Sequence, residues 1–308
     1  MYASTDPRAK LAAAAPVTTG LPPARPKHPT AFAAAEYEKF YERAPQEITE
    51  GATTWYARGQ NFIVAYTNAA EGAVIMRKSE PGEYFVLLPE KSTSVAISAG
   101  SETKNVPGYS VAIVPPGDSS VTVLNGGTMI CIFAVSPELA AKCSNAAAYA
   151  EQHPNIPAYK PWPEPTGGYR IRSYSLDVPP QEGRFGKIFR CSTLMVNFLP
   201  PSNGPRDLAK LSPHHHDDFE QGSLALEGTW THHIRWPWTP NFHIWREDEH
   251  VTCESPSLCV IPPPAVHTSY AAGKGMNTLI DIFSPPRMDF SKVTGWVLNA
   301  DEYPMPSE

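Results

Sequence analysis

The feature that most constrains the fold is a succession of short apolar runs rich in β-branched residues, broken at hairpin-like intervals by Gly, Pro and Asn. FIVAY (62–66), AVIM (73–76), YFVLL (84–88), SVAI (94–97), SVAIV (110–114), VTVL (121–124) and MICIF (129–133) form one series. A second series covers 169–176, 188–199, 222–226, 230–236, 250–253, 258–261 and 278–283. Strands this short, with turn formers between them, build antiparallel sandwiches or barrels. Proline accounts for 34 of the 308 residues, about twice its usual share, and gathers at 200–201 and 262–264, where it stiffens turns. The length allows about two domains, and the two series read as a diverged duplication.

Between the series, 137–152 (PELAAKCSNAAAYAEQ) follows Ser136, a good N-cap, and continues in helix formers, so a joining helix is expected there. A proline-rich linker, 154–165, comes next. Upstream, 1–30 is rich in Ala and Pro and is expected to be a disordered arm or one packed on a partner. The spacing of Ala and aromatics over 31–43 predicts a helix. The expected organisation is therefore an arm and helix (1–45), a first barrel (46–136), a helix and linker (137–168), a second barrel (169–290) and a tail (291–308).

Five cysteines, odd in number and without a C-x-x-C pair, argue against a disulfide framework or a zinc knuckle and predict reduced thiols. Residues 1–30 carry Asp6, Arg8, Lys10, Arg25 and Lys27 with no continuous apolar core, so no signal peptide is expected. No segment reaches the ~20 apolar residues of a membrane span. Cytoplasmic location is expected, with no membrane partner. The net charge of −6, without a Lys/Arg cluster, argues against a nucleic-acid surface and for a small-molecule substrate.

The chemistry concentrates in Pro213-His214-His215-His216-Asp217-Asp218-Phe219-Glu220-Gln221, followed by Gly228, and in Pro262-Pro263-Pro264-Ala265-Val266-His267. On an extended strand, residues two apart point to the same face, so His214 and His216 can share one ion while His215 points away. His267 supplies a third imidazole. Neutral imidazole suits zinc, copper, iron or nickel, and three such ligands leave positions open for water or substrate. Taken alone, three successive histidines would more often be a polar turn; the second motif shifts that balance toward a metal.

These residues resemble the motifs of the cupin superfamily: a histidine pair, then Glu or a related ligand, then Gly, and later P-x-G-x-x-H. Here His214-x-His216 is followed by four residues, Gln221, six residues and Gly228, and the second motif is Pro262-x-Pro264-x-x-His267. The resemblance implies duplicated double-stranded β-helix (jelly-roll) barrels, a bicupin of all-β class, with one divalent metal per chain held by His214, His216, Gln221 and His267. Gln221 stands where Glu is commoner and Pro264 where Gly is commoner. Glu220 is the rival fourth ligand, but it would place Gly228 one residue off the pattern and shift the inward face of the strand. With Gln221 every protein ligand is neutral and the ion keeps its full charge, which favours an anionic substrate. In the first half, Pro115-Pro116-Gly117-Asp118-Ser119-Ser120 stands at the second motif with Ser120 replacing histidine, and 78–84 has no histidine, so that barrel is expected to hold no metal.

Alternation along the strand after Gly228 puts Trp230, His232 and Ile234 on one face and Thr231, His233 and Arg235 on the other. Trp230 and His232 are therefore candidate substrate contacts, although the aromatics Trp230, Trp236, Trp238, Phe242 and Trp245 more often fill cores. Arg235 and Arg246 are candidate carboxylate clamps; surface ion pairing is the plainer reading of each. Asp217 and Asp218 cap the turn and are not proposed as bases.

Cupin barrels host many reactions, so fold alone does not name one. The set resembles cupins that use Fe(II), with Mn, Zn or Ni as alternatives. The leading expectation is a non-haem Fe(II) dioxygenase acting on a small anionic aromatic or dicarbonyl compound. A redox-neutral isomerase or lyase of a sugar-acid-like substrate is the second, and a non-catalytic small-molecule-binding bicupin the third. Sheet edges and a long arm predict a homodimer.

Overall fold

A computed structural model describes residues 32–307, which fall within one compact unit; the expected arm, 1–30, lies outside the described residues. The described residues make four antiparallel sheets. The first barrel joins a seven-stranded sheet, in the order Arg172–Ser175, Ser110–Val114, Tyr84–Leu88, Gly127–Ala134, Phe62–Ala69, Ala52–Arg58, Glu47–Thr49, to a four-stranded one of Val74–Glu80, Gly117–Asn125, Ser94–Ala99 and Glu102–Val106. The second joins a sheet of Glu36–Lys39, Ser257–Ile261, Glu220–Glu227, Met276–Ser284, Met195–Phe198 and Lys187–Arg190, with Ser202–Asn203 added to Met276–Ser284, to a three-stranded sheet of Glu249–Glu254, Thr229–Arg235 and Val266–Ala271.

The two large sheets are buried on both faces, which explains why their strands are continuous apolar runs instead of alternating ones. In Tyr84–Leu88 all five side chains are buried. Phe85 and Leu87 join one core cluster with Val196, Leu224, Leu258, Val260, Ile280 and Ile282 of the second barrel. Tyr84, Val86 and Leu88 face the interior of their own barrel. Ser94–Ala99, in a small sheet with one wet face, alternates strictly instead. Polar joints tie the halves as well. Fully buried Glu83 accepts from the Ser192 amide (3.0 Å), the Ser192 hydroxyl (2.7 Å) and the Tyr303 hydroxyl (2.8 Å), anchoring the C-terminal tail to both barrels.

Two expectations are corrected. Among the described residues, the helix expected over 31–43 is replaced by a strand, Glu36–Lys39, on the edge of the second barrel's sheet, with Glu36 opposite Val260 and Lys39 opposite Ser257, and by a single 3-10 turn at Phe40–Glu42. The open backbone edge of Ser257–Ile261 and a stacking contact between Phe40 and Tyr66 at 5.7 Å outweigh a local helical preference that is only a weak prior. Conversely, Arg172–Ser175, expected in the second barrel, pairs with Ser110–Val114 of the first. Each barrel thus receives an edge strand from beyond its own span.

The joining helix is shorter than its composition suggests. The Ser136 hydroxyl caps Pro137–Lys142 by accepting from the Leu139 amide, and the chain then leaves the helix. The Ser144 amide donates to Tyr56 O at 2.9 Å, and the Asn145 side chain brackets the backbone of Arg58 at 3.0 and 2.8 Å. Side-chain competition for backbone groups is why Ser and Asn interrupt helices. All five cysteines are free and buried. Among the described residues, no helix is long and apolar enough to cross a membrane.

Candidate metal centre

The three motif histidines lie on two chain segments drawn together by a bridge: the His214 amide donates to His267 O at 3.0 Å and the His267 amide to His214 O at 2.8 Å. Ring centroids are 4.5 Å apart for His214 and His267, 5.0 Å for His216 and His267, and 6.4 Å for His214 and His216. His216 is packed on Phe219 at 3.9 Å. His215 is exposed, as is His214, whereas His216 is buried. From the neighbouring strand Gln221 reaches in, its Oε1 lying 3.2 Å from His216 Nε2 and 3.3 Å from His267 Nε2.

The proton inventory of this cluster is informative. Nδ1 of His214, His216 and His267 each faces a backbone carbonyl, of Ser212 (2.8 Å), Phe219 (3.0 Å) and Ala265 (3.0 Å). A carbonyl only accepts, so each Nδ1 carries the hydrogen. Burial first, and then charge from neighbouring groups, lowers the pKa of His216 to about 3, while burial leads in lowering that of His267 to about 4, so both are neutral. Their Nε2 atoms are therefore bare lone pairs. The Gln221 amide cannot turn to meet them with N–H, because its Nε2 is committed to Asp281 Oδ1 and Ser223 Oγ, both at 3.2 Å. Two imidazole lone pairs and an amide oxygen thus point at one another with no hydrogen among them. That arrangement fits a cation and disfavours an empty gap.

Among the described residues, no three His, Cys, Asp or Glu side chains already stand together as a metal-holding group. The inner convergence consists of two imidazoles and one amide oxygen, with exposed His214 at the mouth. Behind Gln221, the Ser223 hydroxyl also donates to Asp281 Oδ1 at 2.9 Å, and burial raises the Asp281 carboxyl to about 6. His216, His267 and the Gln221 amide are neutral, but a carboxyl group stands directly behind Gln221.

Glu220 faces the other way. It is fully buried and accepts from the amides of Gln60 (2.9 Å) and Asn61 (3.1 Å) in the turn between Ala52–Arg58 and Phe62–Ala69. Its carboxylate fills the space a Cβ would need at Gly59, which explains the glycine there. Burial raises its pKa to about 7, against the pull of the two amides.

A cavity of about 460 Å³ opens onto His214, Gln221 and His267. Trp230, Leu199, Leu279 and Phe185 supply apolar wall, while Ser223, Ser269 and Arg206 supply polar groups. Trp230 is thus brought to the site. His232 is one layer behind it, with Nδ1 2.7 Å from the Ser269 hydroxyl and Nε2 without a partner. Arg235 and Arg246 are not brought there. Arg235 forms an exposed ion pair in which its Nε and Nη2 both donate to Asp248 Oδ2, at 2.9 and 2.7 Å. Arg246 donates to Phe32 O at 2.8 Å and lies over the Trp236 ring.

Two arginines that pattern reading passed over are close instead. Arg206 lines the cavity and donates to Lys210 O at 2.8 Å. Arg287 lies over the rings of Phe219, Phe283 and Phe290 and lowers the proton affinity of His216 and His267. Neither stands in a periodic run or motif, so only the folded chain reveals them.

The first barrel shows what replaces the cluster. Arg77 pairs with Ser119 as His214 does with His267, and Tyr84 lies opposite Val114 as Gln221 lies opposite Ile261. The Tyr84 hydroxyl meets Ser119 Oγ at 3.0 Å, and Arg77 pairs with Glu80 at 3.3 Å. A fixed guanidinium and two hydroxyls occupy the place of three imidazoles and an amide. The inward serine is Ser119; a bulge between Gly117 and Ser119 shifts the register by one from the expected Ser120.

Similar architecture is found among solved structures. Oxalate decarboxylase from Lactobacillus farciminis, solved as a formate complex, matches with a TM-score of 0.56 and 12% identity over 82% of this chain and 86% of that one. A variant of Bacillus subtilis oxalate decarboxylase matches with a TM-score of 0.56 and 14% identity over 83% and 78%. AerE from Microcystis aeruginosa matches with a TM-score of 0.53 and 10% identity over 79% and 96%. The fold is a duplicated cupin barrel. At these identities the likeness concerns the cupin architecture alone. No protein-family model matches the chain, and no curated protein matches it in sequence.

Proposed function

We propose that this chain is a metal-dependent cupin enzyme whose second barrel holds one divalent ion through His214, His216, Gln221 and His267. The supporting observation is the convergence of unprotonated His216 and His267 Nε2 on Gln221 Oε1, each ring fixed from behind by a carbonyl. Bound there, an Fe(II) ion would supply open coordination positions for bringing a substrate and dioxygen together. The chain's own residues do the rest. Trp230, Leu199 and Leu279 exclude water and give a flat apolar wall suited to a planar molecule, and Arg206 is placed to receive its negative charge. The reading is a dioxygenase of a small anionic aromatic or dicarbonyl compound.

A second reading, redox-neutral cleavage or isomerisation of a small carboxylate, is favoured by the oxalate decarboxylases among the structural neighbours. One experiment separates the two. Protein purified without air or chelator is analysed for metal, with His216→Ala as control, and oxygen uptake is followed with catechol-like, salicylate-like and diketone compounds. Iron that is lost in the variant, together with oxygen uptake, supports the first reading. Anaerobic turnover of a carboxylate with Mn²⁺, Zn²⁺ or Ni²⁺ supports the second, and absence of metal from the unaltered protein would remove both.

A further inference from the structure

On the outer face of the second barrel's small sheet, cross-strand pairs of side chains run between Thr229–Arg235 and Glu249–Glu254. His233 stands directly opposite His250. Their Nδ1 atoms are 2.6 Å apart, so a single hydrogen lies between two nitrogens that could each offer a lone pair. Tyr270 stacks on His233 at 5.5 Å and fixes its plane. The pair borders a shallow cavity of about 140 Å³, also lined by Thr268, His267 and the Arg235–Asp248 ion pair, whose contact uses Asp248 Oδ2 and leaves Oδ1 without a guanidinium contact. Thr268 lies opposite His233 in the sheet, and its buried hydroxyl has no hydrogen-bond partner. A pair of imidazoles and a carboxylate therefore border one small space on the outer face of the sheet.

We propose that His233 and His250 form an accessory site for a borderline divalent cation such as Cu²⁺ or Zn²⁺, completed by water that Asp248 holds. Nitrogens sharing such an ion lie about 3 Å apart at bond lengths of about 2.0–2.1 Å, so the rings need to part by only a few tenths of an ångström. The hydrogen between them moves to Nε2 of its own ring, so both Nδ1 lone pairs become free for the ion without that proton leaving the pair. Imidazole selects zinc and copper over magnesium or calcium, which prefer oxygen. The ring pair lies on the outer face of the sheet, whereas buried His267, which also borders this cavity, turns its Nε2 inward to Gln221 Oε1.

The test is equilibrium dialysis of the full-length protein against Cu²⁺, with electron paramagnetic resonance of the bound ion. In a His216→Ala background, copper coordinated by two nitrogens is expected, and adding His250→Ala should abolish it. His250 is exposed and its removal leaves no buried group unpaired, so an unchanged circular dichroism spectrum is expected to accompany the loss. Copper binding that persists unchanged without His250, or its absence from the His216→Ala protein, would overturn the proposal.

Discussion

Gln221 Nε2 lies 3.2 Å from Asp281 Oδ1 inside the second barrel, and this contact decides which end of the amide faces the histidines. Without it the side chain could turn, presenting N–H where the imidazole lone pairs converge. Asp281→Ala is therefore expected to weaken metal binding by about 10- to 100-fold, the range typical of groups that orient a ligand from behind. Competition with a chromophoric chelator reads this directly. Affinity equal to that of the unaltered protein would show that the amide needs no such support.

The ligand assignment makes its own pattern of outcomes. His216→Ala and His267→Ala should abolish metal content, whereas His215→Ala should spare it, because His215 is exposed and turned from the cluster. Gln221→Glu should keep the metal but weaken binding of an anion, since it adds a negative charge to the first coordination sphere. Equal metal loss in all three histidine variants would mean that the strand register is wrong.

Glu220 gives the complementary case. Its two accepted amides, from Gln60 and Asn61, belong to the other barrel. Glu220→Ala strands both donors in the interior and should destabilise the protein by about 2–4 kcal/mol, measured by urea denaturation, with metal content unchanged. Loss of metal at undiminished stability would instead return Glu220 to the ligand set.

Much of this was legible before folding, and the reasons are specific. Turn residues and short apolar runs announced two barrels, and the spacing from His214 to Gly228 singled out Gln221 over Glu220 because one residue reverses a strand's face. The strand Glu36–Lys39 was not legible. EYEK has helical spacing, and only the free edge of Ser257–Ile261, more than two hundred residues away, makes it a strand. Arg206 and Asp281 were hidden for a related reason: their roles depend on what the barrel brings beside them. Arg235 followed its plainer reading, an ion pair: alternation puts it on the outer face, and that face carries its partner, Asp248.

Acid stability of the metal-free protein follows from the buried groups. An unfolded imidazole takes up a proton near 6.5, whereas His216 and His267 resist protonation down to about 3 and about 4. Between these limits the unfolded state binds more protons, so the histidine contribution is full above 6.5 and is lost as pH falls toward 4. Glu220 and Asp281, raised to about 7 and about 6 from ordinary values of 4.5 and 3.8, act in the opposite sense, and their contribution declines as pH rises through those windows. The clean observable is thus a difference. Between about pH 4 and about pH 6.5, stability should fall less steeply toward acid in His216→Ala than in the unaltered apoprotein. Parallel denaturation midpoints would show that His216 is not held neutral by burial.

Arg206 carries the last prediction. It is exposed at the cavity wall, anchored by its amide to Ala271 O at 2.9 Å and by its guanidinium to Lys210 O at 2.8 Å. Its guanidinium donates to Lys210 O and the Ser212 hydroxyl and pairs with no carboxylate among the described residues, so its charge is available to an anion entering beside His214. Arg206→Ala should weaken binding of salicylate, a planar aromatic anion, to the metal-loaded protein by about tenfold, the value of one charge-assisted hydrogen bond. Calorimetric titration measures the change, and metal content should not alter because Arg206 touches no ligand. Arg206→Lys should recover only part of the affinity, since an ammonium offers a point charge where the guanidinium offers a planar fork. If both variants bind salicylate as tightly as the unaltered protein, the anion is held by the metal alone and the cavity wall contributes only its shape.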